Sequence, residues 1–292
     1  MKRSPLHPLH NPGAPFAMNV AGVDFTAFSI SGLSTYVLVP DFDACFDLGH
    51  CPVEGARLRN VLLSHVHQDH SLGVIRHRSL RQMWSLSGSR IVVPEGSREA
   101  MVEVLKAYDR LEGRHEGERP IEVQGVRPGD RVTLSKRFFA DVFQVEHRIE
   151  SVGFIVTERR RKLKPEYTDL PGVELGRLRT EGKELYDYRD HRAMTYVGDS
   201  TIETLHNVPE IFDAPLVFLE CTHVAERDQL ASPKYGHTHL FELLRFFERN
   251  PKRIANTHIV LKHFSTKYTH GEITQAFAKL PERTREQLTL LI

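Results

Sequence analysis

Five short apolar runs in this 292-residue chain each lead into an ionisable residue, and that pattern constrains the fold more than any other feature. Val61-Leu62-Leu63-Ser64 runs into His65, and Phe139 to Val145 runs through Glu146 into His147. Met194 to Val197 ends at Gly198-Asp199, Leu216-Val217-Phe218-Leu219 ends at Glu220, and Ile254 to Thr257 leads through His258 towards His263. Runs of roughly four to seven residues rich in Val, Leu, Ile and Phe read as buried strands. Reactive side chains just past strand ends are how an α/β fold gathers one site from distant pieces of sequence, each held on a rigid stem.

Helices fall between these strands. Ser97 is the expected N-cap of a segment with Met101, Val104, Leu105 and Tyr108 on one face, stopping near Gly113. A second helix follows Gly236, with Leu240, Leu243, Leu244 and Phe247 on one stripe and Pro251 at its end. The stretch from Glu272 to Leu291 reads as helical, interrupted at Pro281. Glu158 to Arg192 is different. It opens with Arg159-Arg160-Arg161-Lys162, contains Pro165, Pro171, Gly172, Gly176 and Gly182, and lacks apolar periodicity, which predicts a projecting insertion rather than core. No domain boundary stands out, so residues 1–292 read as a single domain carrying the insertion 158–192.

Composition narrows the class. An apolar share of 40% with 26% charged residues fits a soluble globular protein and argues against disorder. A formal net charge of +1 excludes a global positive field, so any nucleic-acid contact has to come from a local patch. Cys45, Cys51 and Cys221 form no CxxC pair, which fits a reducing compartment. Met1 to Phe16 has no apolar signal-peptide core, and no apolar run approaches the ~18 residues of a membrane span. The expectation is a cytoplasmic protein with no membrane contact. Seventeen histidines raise the prior on a metal or proton-transfer site.

The most informative six residues are His65-Val66-His67-Gln68-Asp69-His70, directly after a buried strand. Three imidazoles and a carboxylate within one turn are the donor set that suits zinc and similar ions. If His65 and His67 hold one ion while Asp69 and His70 hold another, the two lie close enough to share a bridging hydroxide. Further donors, His147, Asp199 and His263, sit at or beyond other strand ends.

In this order and spacing the motifs resemble those of the metallo-β-lactamase superfamily. The resemblance implies an α/β fold, a four-layer αββα sandwich with the site at one edge of its two sheets. It implies two divalent metal ions, zinc first and manganese second. His65, His67 and His147 would hold one, Asp69, His70 and His263 the other, and Asp199 would bridge.

Three further segments resemble the ribonuclease Z branch of that superfamily: Leu219-Glu220-Cys221-Thr222, Gly236-His237-Thr238-His239, and Leu261-Lys262-His263-Phe264-Ser265-Thr266-Lys267-Tyr268, the last with lysine at 267 where the family has arginine. Lys162-Leu163-Lys164-Pro165-Glu166-Tyr167 and Phe46-Asp47-Leu48-Gly49-His50-Cys51-Pro52 are similar to the short plant-type enzymes. The glycine–proline signature of bacterial arms is missing. The likeness runs from about Gly32 to Thr269.

It implies an endonuclease that removes the 3′ trailer of precursor tRNA, with precursor tRNA as partner and a homodimer in which one subunit's arm serves the other's site. Catalysis would rest on Asp69 and on His237 as general acid, oriented by Glu220. Lys267 and Tyr268 would reach the terminal nucleotides or phosphate, and Arg159, Arg160, Arg161 and Lys162 the tRNA backbone. Two alternatives stay open: a phosphodiesterase acting on small esters or cyclic nucleotides, and a metal-containing RNA-binding protein without turnover.

Overall fold

In the computed structural model, which describes residues 15–115 and 117–292, the apolar runs become the strands of two stacked sheets. The first sheet is ordered β1 (Phe16–Val20), β2 (Val23–Ser31), β3 (Ser34–Val39), β4 (Ala44–Leu48), β5 (Asn60–Leu62), β6 (Arg90–Pro94), β7 (Glu122–Val126). The second takes β8 (Arg131–Thr133), β9 (Phe138–Gln144), β10 (Val152–Leu163), β11 (Tyr186–Tyr196), β12 (Leu216–Glu220) and β13 (His258–Lys262). The short β14 (Phe264–Ser265) crosses back to pair with β2, and β15 (Leu288–Leu290) forms the far edge beside β13.

Side-chain alternation builds the layers. Along β12, Leu216 and Phe218 point into the cluster between the sheets, where Phe25 meets Phe218 edge-on at 5.0 Å. Val217 and Leu219 point the other way, onto Leu243, Phe246, Phe247, Ile273 and Phe277. Along β5 and the residue after it, Leu62 faces inward while Val61 and Leu63 face Val74, Leu80, Met101 and Leu105. Period-two strands buried on both faces need helices outside both sheets. The chain supplies them as α1 (Gln68–Ser71), α2 (Gly73–Met83) and α3 (Arg98–Leu111) on one side. Between β10 and β11 lies α4 (Gly172–Thr180), and after β11 come α5 (Glu203–Asn207), α6 (Ala231–Lys234), α7 (Leu240–Arg249), α8 (Pro251–Ile254), α9 (His270–Ala278) and α10 (Glu282–Glu286). The four-layer αββα expectation is met. No helix among the described residues is long and apolar enough to cross a membrane.

Three local expectations are corrected. The last predicted strand starts at His258, not Ile254, because Pro251 has the fixed φ that suits a first helical turn and opens α8. The C-terminal segment ends in β15 rather than helix: Leu288 and Leu290 pack on the outer core while pairing in parallel with β13. Ser97 precedes α3 but makes no capping bond; Gly96 N–H donates instead to Glu150 Oε2 at 2.8 Å. The cap of α7 is His239, in a reciprocal box with Glu242.

Residues 158–192 are not irregular throughout. They are the outer part of the β10–β11 hairpin, in register from Glu158↔His191 to Leu163↔Tyr186, closed by α4. Val152 to Glu158 is buried and Arg159 to Lys162 exposed, so the hairpin leaves the core at residue 159.

Candidate metal centre

The C-terminal ends of β5, β9, β11, β12 and β13 open on one edge of the sandwich, and each delivers one or more of the residues singled out above. Ligand atoms of His65, His67, His147 and Asp199 all lie within 4.8 Å of one another, and so do those of Asp69, His70 and His263. Asp199 Oδ2 joins the two groups, 3.8 Å from His65 Nε2, 3.3 Å from His70 Nε2 and 3.2 Å from His263 Nε2. Gly198 makes this approach feasible, because a Cβ there would fall 2.4 Å from Ser64 Oγ.

The protons on the imidazoles can be derived from their outer partners. Asp47 accepts from Ser64 N, Ser64 Oγ and Tyr196 Oη, at 2.7, 2.9 and 2.6 Å. Ser64 has one hydroxyl proton and gives it to Asp47, so its oxygen accepts from His65 Nδ1 at 3.0 Å. His70 Nδ1 donates to Asp47 Oδ2 at 2.8 Å, and His147 Nδ1 donates to Gly236 O at 2.7 Å. Thr222 Oγ1 donates to Glu220 at 2.7 Å and therefore accepts from His263 Nδ1 at 2.9 Å. Each ring in its neutral form is left with a bare Nε2, free to take a cation or a proton.

Those lone pairs point at one another. His65 Nε2 stands 3.0 Å from His67 Nδ1, which is 3.5 Å from His147 Nε2, and His70 Nε2 faces His263 Nε2 at 3.2 Å. Asp199 Oδ1 is buried with no hydrogen-bond partner. Clustered lone pairs and an orphaned carboxylate oxygen are stabilised by a cation, and second partners that fix each tautomer are the usual support of a metal site. The residues fit divalent metal binding.

Electrostatics agree. Burial holds His65, His67 and His147 below the usual imidazole value, which keeps them neutral donors. At His70 burial works in the same direction, but Asp199 and Asp47 overcome it and lift the pKa to about 10. The pocket is anionic and calls for positive charge. Asp69 would be raised by burial, yet a hydrogen bond from His263, made when that ring is protonated, brings it down to about 2. Its Oδ2 also accepts from Gly32 N at 2.7 Å. Asp47 and His263 both hold left-handed backbone, at φ 53° and 68°, a strain of about 1–3 kcal/mol each that the surrounding bonds sustain.

His237 lies beside this cluster, its Nδ1 3.0 Å from Glu220 Oε1 and 3.9 Å from Asp199 Oδ2. Burial disfavours its charged form, but Glu220 outweighs burial and raises its pKa to about 9. Glu220 would itself be raised by burial; the His237 charge holds it low.

The six substrate-binding candidates picked from sequence have other surroundings. Tyr268 is 1% exposed and its hydroxyl donates to Asp228 at 2.5 Å, so it packs in the core and does not present itself to a ligand. Lys267 is half exposed and pairs with the same Asp228 at 3.2 Å. Arg159 makes two bonds to Asp190, at 2.9 and 3.0 Å, on the hairpin rather than at the metal cluster. Arg160 pairs with Glu158 and Arg161 covers the Tyr186 ring; Lys162 has no partner among the described residues. The residues that sequence reasoning missed are the outer partners: Asp47, Ser64, Thr222, Tyr196 and the Gly236 carbonyl. An acid at the end of the apolar run Ala44 to Leu48 was the available signal for Asp47.

No protein-family model matches the chain. Among curated proteins it is 27% identical over 268 residues to tRNase Z TRZ1 of Arabidopsis thaliana, an overlap covering 91% of this chain and 93% of that one. Among solved structures it superposes on the metallo-β-lactamase fold protein YhfI of Bacillus subtilis with a TM-score of 0.58 at 16% identity, covering 90% and 92% of the two chains. Human tRNase Z, short form, gives 0.51 at 15% identity, covering 96% and 93%. The superpositions establish the metallo-β-lactamase fold, and the curated relative bears out the resemblance to ribonuclease Z read from the motifs.

Proposed function

We propose that this chain is a metal-dependent endoribonuclease of the ribonuclease Z type, removing the 3′ trailer of precursor tRNA. The observation that carries the reading is the Glu220–His237 pair, a proton donor held 3.9 Å from Asp199 at the junction of two ligand groups. A substrate with both a phosphorus centre and a leaving oxygen that needs a proton suits that arrangement. The relatives' names supply the tRNA.

In this reading His65, His67 and His147 hold one ion, Asp69, His70 and His263 the other, and Asp199 lies between; imidazole and carboxylate donors suit zinc, with manganese second. Two divalent ions held there would supply activation of water and neutralisation of developing negative charge. The chain does the rest. His237 Nδ1 is committed to Glu220, so Nε2 carries the proton to the O3′ of the discriminator nucleotide as the P–O3′ bond breaks. The products are a tRNA 3′-hydroxyl and a 5′-phosphorylated trailer. Asp69 keeps the Gly32 side of the cleft in place. Lys267 and the exposed cations Arg161 and Lys162 are the phosphate contacts, and the hairpin 158–192 is the arm that grips tRNA, from one subunit of a homodimer to the other. Three buried free cysteines suit a reducing, cytoplasmic setting.

The test is purified protein with zinc or manganese and a 3′-extended precursor tRNA, beside an aryl phosphodiester. A single cut after the discriminator, lost in His237→Ala, supports the reading. Turnover of the small ester alone moves the substrate to that class.

A further inference from the structure

The loop after His147 carries a cation that the chemistry above leaves unused. Arg148 is exposed, and among the described residues its guanidinium has no carboxylate, carbonyl, hydroxyl or ring partner. The arginines at the base of the hairpin are different: Arg137, Arg159, Arg160 and Arg192 all sit in ion pairs.

Arg148 is free at its tip but held at its root. On one side His147 Nδ1 donates to Gly236 O at 2.7 Å; on the other Glu150 Oε2 accepts from Gly96 N at 2.8 Å, and Val152 N donates to Ser64 O at 2.9 Å. The stem of Arg148 lies on Gly236, where a Cβ would come within 2.8 Å of Arg148 Cγ and 3.1 Å of its backbone N. Gly236 also has φ 77°, so no other residue fits the position without strain. The next residue is His237. The root of an exposed arginine is thus held next to a metal-ligand candidate and against the glycine that precedes the proton donor.

The whole chain has a net charge of only +1, so attraction for a polyanion at the cleft depends on local groups. A guanidinium presents a planar fork of donors that matches two phosphate oxygens, and a stem already packed loses less freedom when it binds. Resting on the endoribonuclease reading, we infer that Arg148 is a phosphate-binding residue that grips a phosphodiester flanking the scissile one, so that the cleft prefers a polynucleotide to an isolated ester.

Two arms test this. In the first, KM and kcat for a 3′-extended precursor tRNA transcript are measured for wild type, Arg148→Ala and Arg148→Lys across a KCl series, with bound metal determined for each. Arg148→Ala should raise KM roughly tenfold or more, and the slope of log kcat/KM against log salt should flatten by about one contact. Arg148→Lys should keep the slope and recover part of KM. The second arm reads binding alone, by anisotropy of a fluorescein-labelled single-stranded RNA, where the slope should change by about 0.7. Unchanged KM, affinity and salt slope in Arg148→Ala overturn the assignment, as does a loss confined to kcat with metal lost from the protein. Wild type that cuts no precursor tRNA but shows the Arg148-dependent binding slope sinks the endoribonuclease reading and leaves the phosphate contact standing.

Discussion

Glu220 Oε1 accepts the Nδ1 proton of His237 at 3.0 Å, and the rest of that carboxylate is occupied by Ser200 N, Thr222 N, Thr222 Oγ1 and Thr238 N at 2.7–3.1 Å. Five donors and no acceptor fix Glu220 as an anion, and the anion is what keeps His237 protonated up to a pKa of about 9. A general acid works only while protonated, so activity falls as pH rises through its pKa. In Glu220→Gln the charge is gone, and the alkaline limb of the kcat profile should move down towards the ordinary imidazole range. His237→Ala should lower kcat about 10²–10⁴-fold at neutral pH with bound metal retained. An alkaline limb that stays put in Glu220→Gln would show that His237 is not the group being titrated.

Asp47 holds His70 from behind, and it also orients Ser64 and through it His65. One carboxylate therefore sets the tautomer of a histidine in each ligand group. Asp47→Asn should weaken divalent metal binding about 10- to 100-fold, the usual cost of losing such an outer partner. Competition with a chromophoric chelator measures it directly. Metal affinity equal to wild type would mean that His65 and His70 hold their orientation without Asp47.

Residues 161–188 can be replaced by Asn-Gly at the Arg160↔Arg189 pair, which leaves the buried part of β10 and β11, and the Glu158 ion pairs, in place. The shortened protein should lose precursor-tRNA cleavage by about two orders of magnitude or more, since tRNA shape recognition depends on backbone contacts. Hydrolysis of an aryl phosphodiester should survive. Equal loss of both activities would point to damage at the metal centre rather than loss of an arm.

The strand-end pattern made the candidate metal residues legible because ligands must sit on rigid stems at one sheet edge, and a stem is a run of apolar residues that can be read. Asp47 escaped that logic since it lies inside β4, where alternation alone does not tell a buried acid from a strand's polar face. Tyr268 was misread for a related reason. Its burial depends on Asp228, forty residues earlier, and no local pattern joins the two. Leu288 to Leu290 has the apolar spacing of a short helix or a strand equally well; the open edge of β13 decides for strand. The strand pairing inside the insertion 158–192 is not legible in the sequence, since its exposed half has no buried face to impose a period of two.

His77 supplies a test of stability that leaves the site alone. It is fully buried, with Nε2 donating to Leu58 O and Nδ1 accepting from Ser89 Oγ, both at 2.8 Å. Burial lowers its pKa to about 4, with the backbone bond to Leu58 offsetting only part of the effect. Unfolding exposes an imidazole of pKa near 6.5, so between these values the unfolded chain binds more protons than the folded one. The contribution is complete above pH 6.5 and is lost as pH falls towards 4, amounting to about 3 kcal/mol over the window. His77→Gln keeps a donor for Leu58 O but does not titrate. Its denaturant midpoint should lie below wild type at pH 7.5 and fall less steeply on acidification. Every other histidine is common to both proteins and cancels in the difference. Parallel stability curves from pH 7 to 4.5 would mean that His77 titrates alike in the folded and unfolded chain, so that burial does not hold the ring neutral.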